Sequence, residues 1–219
     1  DYSGAQVSGA GDVNGDGYDD VIIGVPNASP NGNRPAAGIS YVIFGKAINF
    51  SDIDLAILLP EQGFKVLGAE FYDQSGCSVS GVSNVNGDEY DDIIIGALQT
   101  TSASYVIFGI AVISDIDLAN FTVEQGFKIL RATDNDYSGD SVSGAGDVNG
   151  DGYDDVIIGA YRADPKSRTD AGTSYVILDT AATFSPTASP TISLSPTFAP
   201  TLAPTPTSNS HTRMCPPSA

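Results

Sequence analysis

Tryptophan is absent from this 219-residue chain, and it holds one methionine, one histidine and two cysteines. The lone histidine, His211, lies in a Pro/Thr-rich tail and reads as a solvated residue, which removes histidine-based catalysis from the body of the protein. Cys77 and Cys215 are too few and too far apart for a disulfide framework. Cys77 falls at a strand position and reads as a small buried residue rather than a nucleophile. No apolar run reaches the roughly 18 residues of a membrane-spanning helix, so no transmembrane segment is expected. The chain opens at Asp1 with neither Met nor a charged-then-apolar leader and reads as a mature or truncated product, which leaves secretion open. Basic residues are scarce too, with 9 Lys and Arg against 27 Asp and Glu and a net charge of −18. Such a balance repels phosphate backbones and anionic membranes, excludes nucleic acid as a partner and points to cations.

What is present is a repeat. YSGAQVSGAGDVNGDGYDDVIIG at 2–24 returns nearly unchanged at 137–159, and a degenerate copy, DQSGCSVSGVSNVNGDEYDDIIIG, lies at 73–96. ISYVIFG, SYVIFG and TSYVIL recur in step, as do SDIDLA at 51–56 and 114–119 and the pair EQGFKVL and EQGFKIL. Each period reads as four short strands, rich in Val, Ile, Tyr and Phe and bounded by Gly, Asn, Asp and Pro. The DLAIL and DLANF pieces are expected to form a helical turn. Four antiparallel strands per repeat make a β-propeller blade, so the fold class is all-β. The repeats divide at about 1–72, 73–135 and 136–179. The third stops after SYVIL without an outer strand, and three blades do not close a ring. The expectation is therefore the C-terminal part of a longer propeller. From 180 to 219 the composition turns to Pro, Thr and Ser, which favours an extended stalk or linker.

The chemistry lies in three acidic loops. Asp12, Asn14, Asp16, Tyr18 and Asp20 offer oxygens at positions 1, 3, 5, 7 and 9, the seventh through the Tyr18 carbonyl. Calcium is a hard cation that takes six to eight oxygens, and alternate residues turn toward one centre while Gly17 permits a sharp turn. Asp20 is the natural bidentate ligand. The third loop repeats every element with Asp147, Asn149, Asp151, Tyr153 and Asp155, and the middle loop offers Asn84, Asn86, Asp88, Tyr90 and Asp92. An EF-hand requires an acidic residue at position 12 and a following helix, whereas Ile23 and Ile158 stand there, within strands. The sites are thus hairpin cages, and Mg²⁺ is less favoured. Up to three Ca²⁺ ions are expected. The middle site should be weakest, because Asn84 replaces an Asp and Glu89 stands where Gly should allow the turn. Turn chemistry alone accounts for a single loop, but not for three in-step copies with acids at positions 5 and 9.

GDVNGDGYDDVIIG, GVP at 24–26 and YVIFG ending at Gly45 resemble the FG-GAP repeat of integrin α-subunit propellers and of related bacterial and algal proteins, over residues 1–179. The resemblance implies calcium between the first two strands of each blade, on the lower face of a propeller of about seven blades, with the ligand face opposite. The match departs at Gly96-Ala97-Leu98, at Gly159-Ala160-Tyr161 and at Leu178-Asp179. The implied function is a non-enzymatic, calcium-stabilised extracellular module, secreted or at the cell surface, for adhesion or for binding protein or glycan. Neighbouring copies or upstream blades are further partners. A structural subunit of an extracellular filament or wall is one alternative; a non-catalytic part of a carbohydrate-active or phospholipase-type enzyme is another. Asn27, Asn49 and Asn120 begin glycosylation sequons, the first weakened by Pro30.

Overall fold

The computed structural model describes residues 2–47, 52–98, 103–111 and 114–178. Among these residues there is no α-helix, and strands are short because the apolar runs between turn residues are short. The first sheet holds β1 (Gln6–Gly11), β2 (Asp20–Val25), β3 (Ile39–Ile43) and β4 (Gly63–Leu67) in antiparallel order. The second holds β5 (Ser78–Ser83), β6 (Asp92–Gly96), β7 (Ala103–Ile107) and β9 (Gly126–Leu130). In the third are β10 (Ser138–Gly146), β11 (Asp155–Ala160) and β12 (Thr173–Ile177). Three successive sheets with this strand order are propeller blades, as the repeat predicts. The segment after Leu178, with the expected stalk, lies outside the described residues.

One detail escapes the repeat pattern. The two-residue strand β8 (Ile116–Asp117) precedes β9 in the chain but pairs in parallel with β4 of the first blade. The DLAIL and DLANF pieces do form the expected helical turns, as single 3-10 turns at Leu55–Ile57 and Leu118–Asn120.

Burial follows position in the stack. The middle strand β6 is buried at all five positions because blades cover both of its faces. One apolar cluster joins Ile22, Val42, Phe64, Ile93, Ile95 and Tyr105 from the first and second blades. A second joins Val82, Ile94, Val106, Val142, Val156 and Ile158 from the second and third. The inner strands approach backbone to backbone, since a Cβ on Gly81 would lie 2.8 Å from the Gly9 carbonyl oxygen.

Each blade has a register shift just before its acidic loop, between Gly9 and Gly11, Gly81 and Ser83, and Gly144 and Gly146. The residue closing the bulge is left-handed each time. Gly11 (φ 72°) and Gly146 (φ 67°) adopt that conformation freely, whereas the middle copy forces Ser83 into it at φ 47°.

Candidate metal centre

Each acidic loop links the first strand of its blade to the second, so all three hang from the same end of their sheets. In the first loop both Asp12 carboxylate oxygens turn inward and accept the N–H groups of Asp16 and Gly17, at 2.9 and 2.8 Å. Asn14 Oδ1 accepts the Asp16 N–H at 3.0 Å, and Asp16 Oδ1 accepts the Tyr18 N–H at 3.0 Å. The third loop repeats this winding. Asp147 accepts from Gly150, Asp151 and Gly152, Asn149 from Asp151, and Asp151 from Tyr153. These bonds from Gly152, Gly150 and Asp151 hold the Asp147 carboxyl below its usual range.

The middle loop keeps part of this. Asn86 and Asp88 act as their counterparts do, accepting from Asp88 and Tyr90. The Asn84 side chain accepts only the Gly87 N–H, at 2.6 Å, and turns its amide to donate to the Asp88 carbonyl. Gly17 and Gly152 are left-handed, at φ 89° and 93°, and Glu89 is not. Its backbone therefore takes another path at position 6, as an L-residue there favours.

Position 9 has a role that the ligand pattern does not reveal. Asp20 is 1 % exposed, and its two oxygens accept the N–H groups of Val13 (3.0 Å) and Gly45 (2.8 Å). Asp92 does the same with Val85 (2.8 Å) and Gly109 (2.9 Å), and Asp155 accepts from Val148 (2.8 Å). Asp20 and Asp92 thereby clamp the loop base to the chain just past the third strand of their blades. Burial pushes Asp20 up to about 6 against the pull of those two N–H groups, and the charges of Asp16 and Asp12 push it the same way. Asp92 is pushed up to about 7, again chiefly by burial, with Asp88 adding to it.

Position 8, which the ligand spacing leaves without a role, joins one loop to the next. Asp91 accepts the Asp12 N–H at 2.8 Å and returns its own N–H to the Asp12 carbonyl at 3.1 Å. Asp154 N–H donates likewise to the Asn84 carbonyl. The Tyr90 ring lies over Gly15, and the Tyr153 ring over Gly87, so closely that a Cβ on either glycine would collide. The signal for position 8 in the sequence is the doubled Asp-Asp of all three copies.

Among the described residues, no three His, Cys, Asp or Glu side chains converge as a ready cluster. Within the first and third loops the side chains at positions 1, 3 and 5 fold back onto the loop's own N–H groups, while the position-9 carboxylate turns to the loop base. In the first loop the acids repel one another, as the effect of Asp12 and Asp16 on Asp20 shows. An all-oxygen set with such repulsion fits a hard divalent cation.

The other candidates resolve simply. Cys77 sits one residue ahead of β5, and its Sγ reaches the Gly96 and Gly139 carbonyls at 3.4 and 3.7 Å. Burial, then the charge of Asp140, pushes this thiol up to about 12, which makes it inert near neutrality. Asn27 is half-buried and accepts from Gln74, and Asn120 is exposed. Asn49, His211 and Cys215 lie outside the described residues. A shallow groove of about 360 Å³ runs along the glycines of the inner strands beside Ser83, Asp91 and Asp154, and its lining residues include no cationic side chain.

Comparison with known proteins agrees with this geometry. The FG-GAP repeat model matches residues 3–43 and 138–177, the two intact copies. The chain is 29% identical to integrin alpha ina-1 of Caenorhabditis elegans over 68% of its own length and 14% of that protein's. It is 25% identical to integrin alpha-V of Gallus gallus over 70% of its length and 14% of that protein's. Phosphatidylinositol-glycan-specific phospholipase D of Bos taurus is 31% identical over 68% of this chain and 17% of its own. The chain thus spans less than a fifth of each of these relatives. With loops, strand order and repeats in agreement, this chain carries FG-GAP repeats and is homologous to the integrin α-subunits.

Proposed function

We propose that this chain is a calcium-stabilised extracellular β-propeller module for adhesion, binding protein or glycan through the end opposite its metal loops and performing no catalysis. The observation that carries this reading is the division of chemistry between the two ends of the blades. The acidic loops occupy one end. At the other, beside the starts of β1, β5 and β10 and the end of β11, Tyr2, Phe71, Tyr72 and Tyr161 are 75, 53, 62 and 50% exposed. Arg162 stacks on Tyr137 at 4.6 Å and on Tyr161 at 5.5 Å. Exposed Tyr and Arg held rigid by such stacking are typical anchors of binding surfaces.

Asp12, Asn14, Asp16, the Tyr18 carbonyl and Asp20 would hold calcium in the first loop, with their counterparts in the third and, more weakly, in the middle. The ion would neutralise repelling carboxylates and add its binding free energy to folding. An extracellular setting supplies that ion and fits the exposed sequon at Asn120. No helix among the described residues is long and apolar enough to cross a membrane. The phospholipase relative favours a second reading, in which these blades are the non-catalytic part of a larger enzyme.

Calorimetric titration of the chelator-treated chain with Ca²⁺ tests the metal reading, with heat release and a raised melting temperature expected. Absence of both sinks it. Tyr161→Ser is expected to weaken capture of cell-surface protein or glycan by the immobilised chain, and unchanged capture would remove the aromatic end from the reading.

A further inference from the structure

We propose that this chain self-associates head to tail, with residues 52–55 of one copy seated on the free outer edge of β9 in the next. The molecule makes the same contact once within itself. Ile116 and Asp117 pair in parallel with Val66 and Leu67 on the outer edge of β4. Asp115 accepts the Lys65 N–H at 2.8 Å, and Asp117 takes a two-pronged ion pair from Arg34 at 2.7 and 3.0 Å. Ile116 and Leu118 are 6 and 0% exposed. The hexapeptide SDIDLA at 114–119 is thus a latch, and β4 (GFKVL) is its socket.

An identical latch stands at 51–56. Asp54 accepts the Ala56 N–H at 2.9 Å, as Asp117 accepts that of Ala119 at 3.1 Å, so both copies open the same 3-10 turn. The first copy has no socket among the described residues. Ile53 and Leu55 remain half-buried, and Asp54 is exposed.

A matching socket is open as well. β9 (GFKIL) repeats β4, yet it ends its sheet with no strand on its outer side among the described residues. Phe64 and Val66 are 1 and 0% exposed, whereas their counterparts Phe127 and Ile129 are only partly buried and Leu130 is 62% exposed. Lys128 places positive charge along β9, and Asp52 and Asp54 carry the opposite sign. Strand addition supplies backbone hydrogen bonds and a pair of apolar side chains supplies specificity. Because latch and socket lie at different places on one chain, the contact is heterologous and extends from copy to copy. No metal enters it, so it stands or falls apart from the calcium reading.

Sedimentation velocity over a concentration series tests it, at about 0.15 M salt to screen the repulsion of chains of like charge. Wild type is expected to form faster-sedimenting species as concentration rises. Ile53→Asp, which spoils the latch, and Leu130→Asp, which spoils the socket, should each weaken association about tenfold or more. A mixture of the two variants retains one sound latch facing one sound socket and should give a 1:1 complex and nothing larger. Unchanged melting temperatures show that the variants fold; should one not fold, Asp54→Lys takes the place of the latch variant and Lys128→Glu that of the socket variant. A wild type that stays monomeric throughout, variants that associate as wild type does, or a mixture without the 1:1 species would each overturn the proposal.

Discussion

The first and the middle acidic loop differ only at positions 1 and 6, where Asp12 faces Asn84 and Gly17 faces Glu89. Both keep the buried clamp at position 9 and the Asx-type bonds at positions 3 and 5. They part at the centre. Asp12 gathers two backbone N–H groups with two oxygens, whereas Asn84 has one oxygen, which accepts one N–H, and an amide that donates to the Asp88 carbonyl. The scaffold of a site and its donor set are therefore separable, and a hairpin survives the loss of ligands when its base is held elsewhere.

The sharpest way to break this separation is to remove the clamp. Asp20→Ala and Asp92→Ala each leave two sheltered N–H groups without an acceptor, and each should lower metal-free stability by about 2 to 4 kcal/mol. Urea denaturation is the measurement, and equal losses in both loops would show that the scaffold is shared. The donor set comes next. Asn84→Asp should raise calcium affinity at the middle site about tenfold, and Asp147→Asn should lower it at the third by a similar factor, since each changes one ligand charge. Calorimetric titration reads both, and an Asn84→Asp chain that binds no better would put the defect at Glu89.

A smaller effect probes the stacking between loops. Gly15→Ala and Gly150→Ala meet the same backbone penalty, at φ 71° and 78°, but only Gly15 lies under a tyrosine ring. The first should cost at least about 1 kcal/mol more than the second. Thermal melts that fail to separate them would argue that the ring simply moves aside. Least in size is Ser83→Gly, which relieves a left-handed serine at the middle bulge and should stabilise by about 1 kcal/mol.

Much of this is legible in the sequence because the chain repeats. DDVIIG, SYVIFG and GFKIL announce strands three or two times over, and the count along DVNGDGYDD nominates its oxygen donors. Contacts between repeats are not legible. Asp91 meets Asp12 across 79 positions and Arg34 meets Asp117 across 83, and a repeat shows which residues correspond without showing which ones touch. Asp20 reads as a ligand and is also a clamp, because a count along the loop carries no information about the Val13 and Gly45 N–H groups above it. The left-handed Ser83 is hidden for a related reason. Only the two glycine copies at that bulge hint at its backbone, and the middle copy breaks the hint.

The tyrosine rings give the row of loops a direction. The Tyr90 and Tyr153 rings each roof the loop of the blade before, so the first and middle loops are thatched by their successors, while no described residue lies over Gly150 of the third. Fraying should therefore start at the third loop and travel backwards, each departing ring laying bare the next. Amide hydrogens along the row would exchange in that sequence, like tiles lifting from one eave.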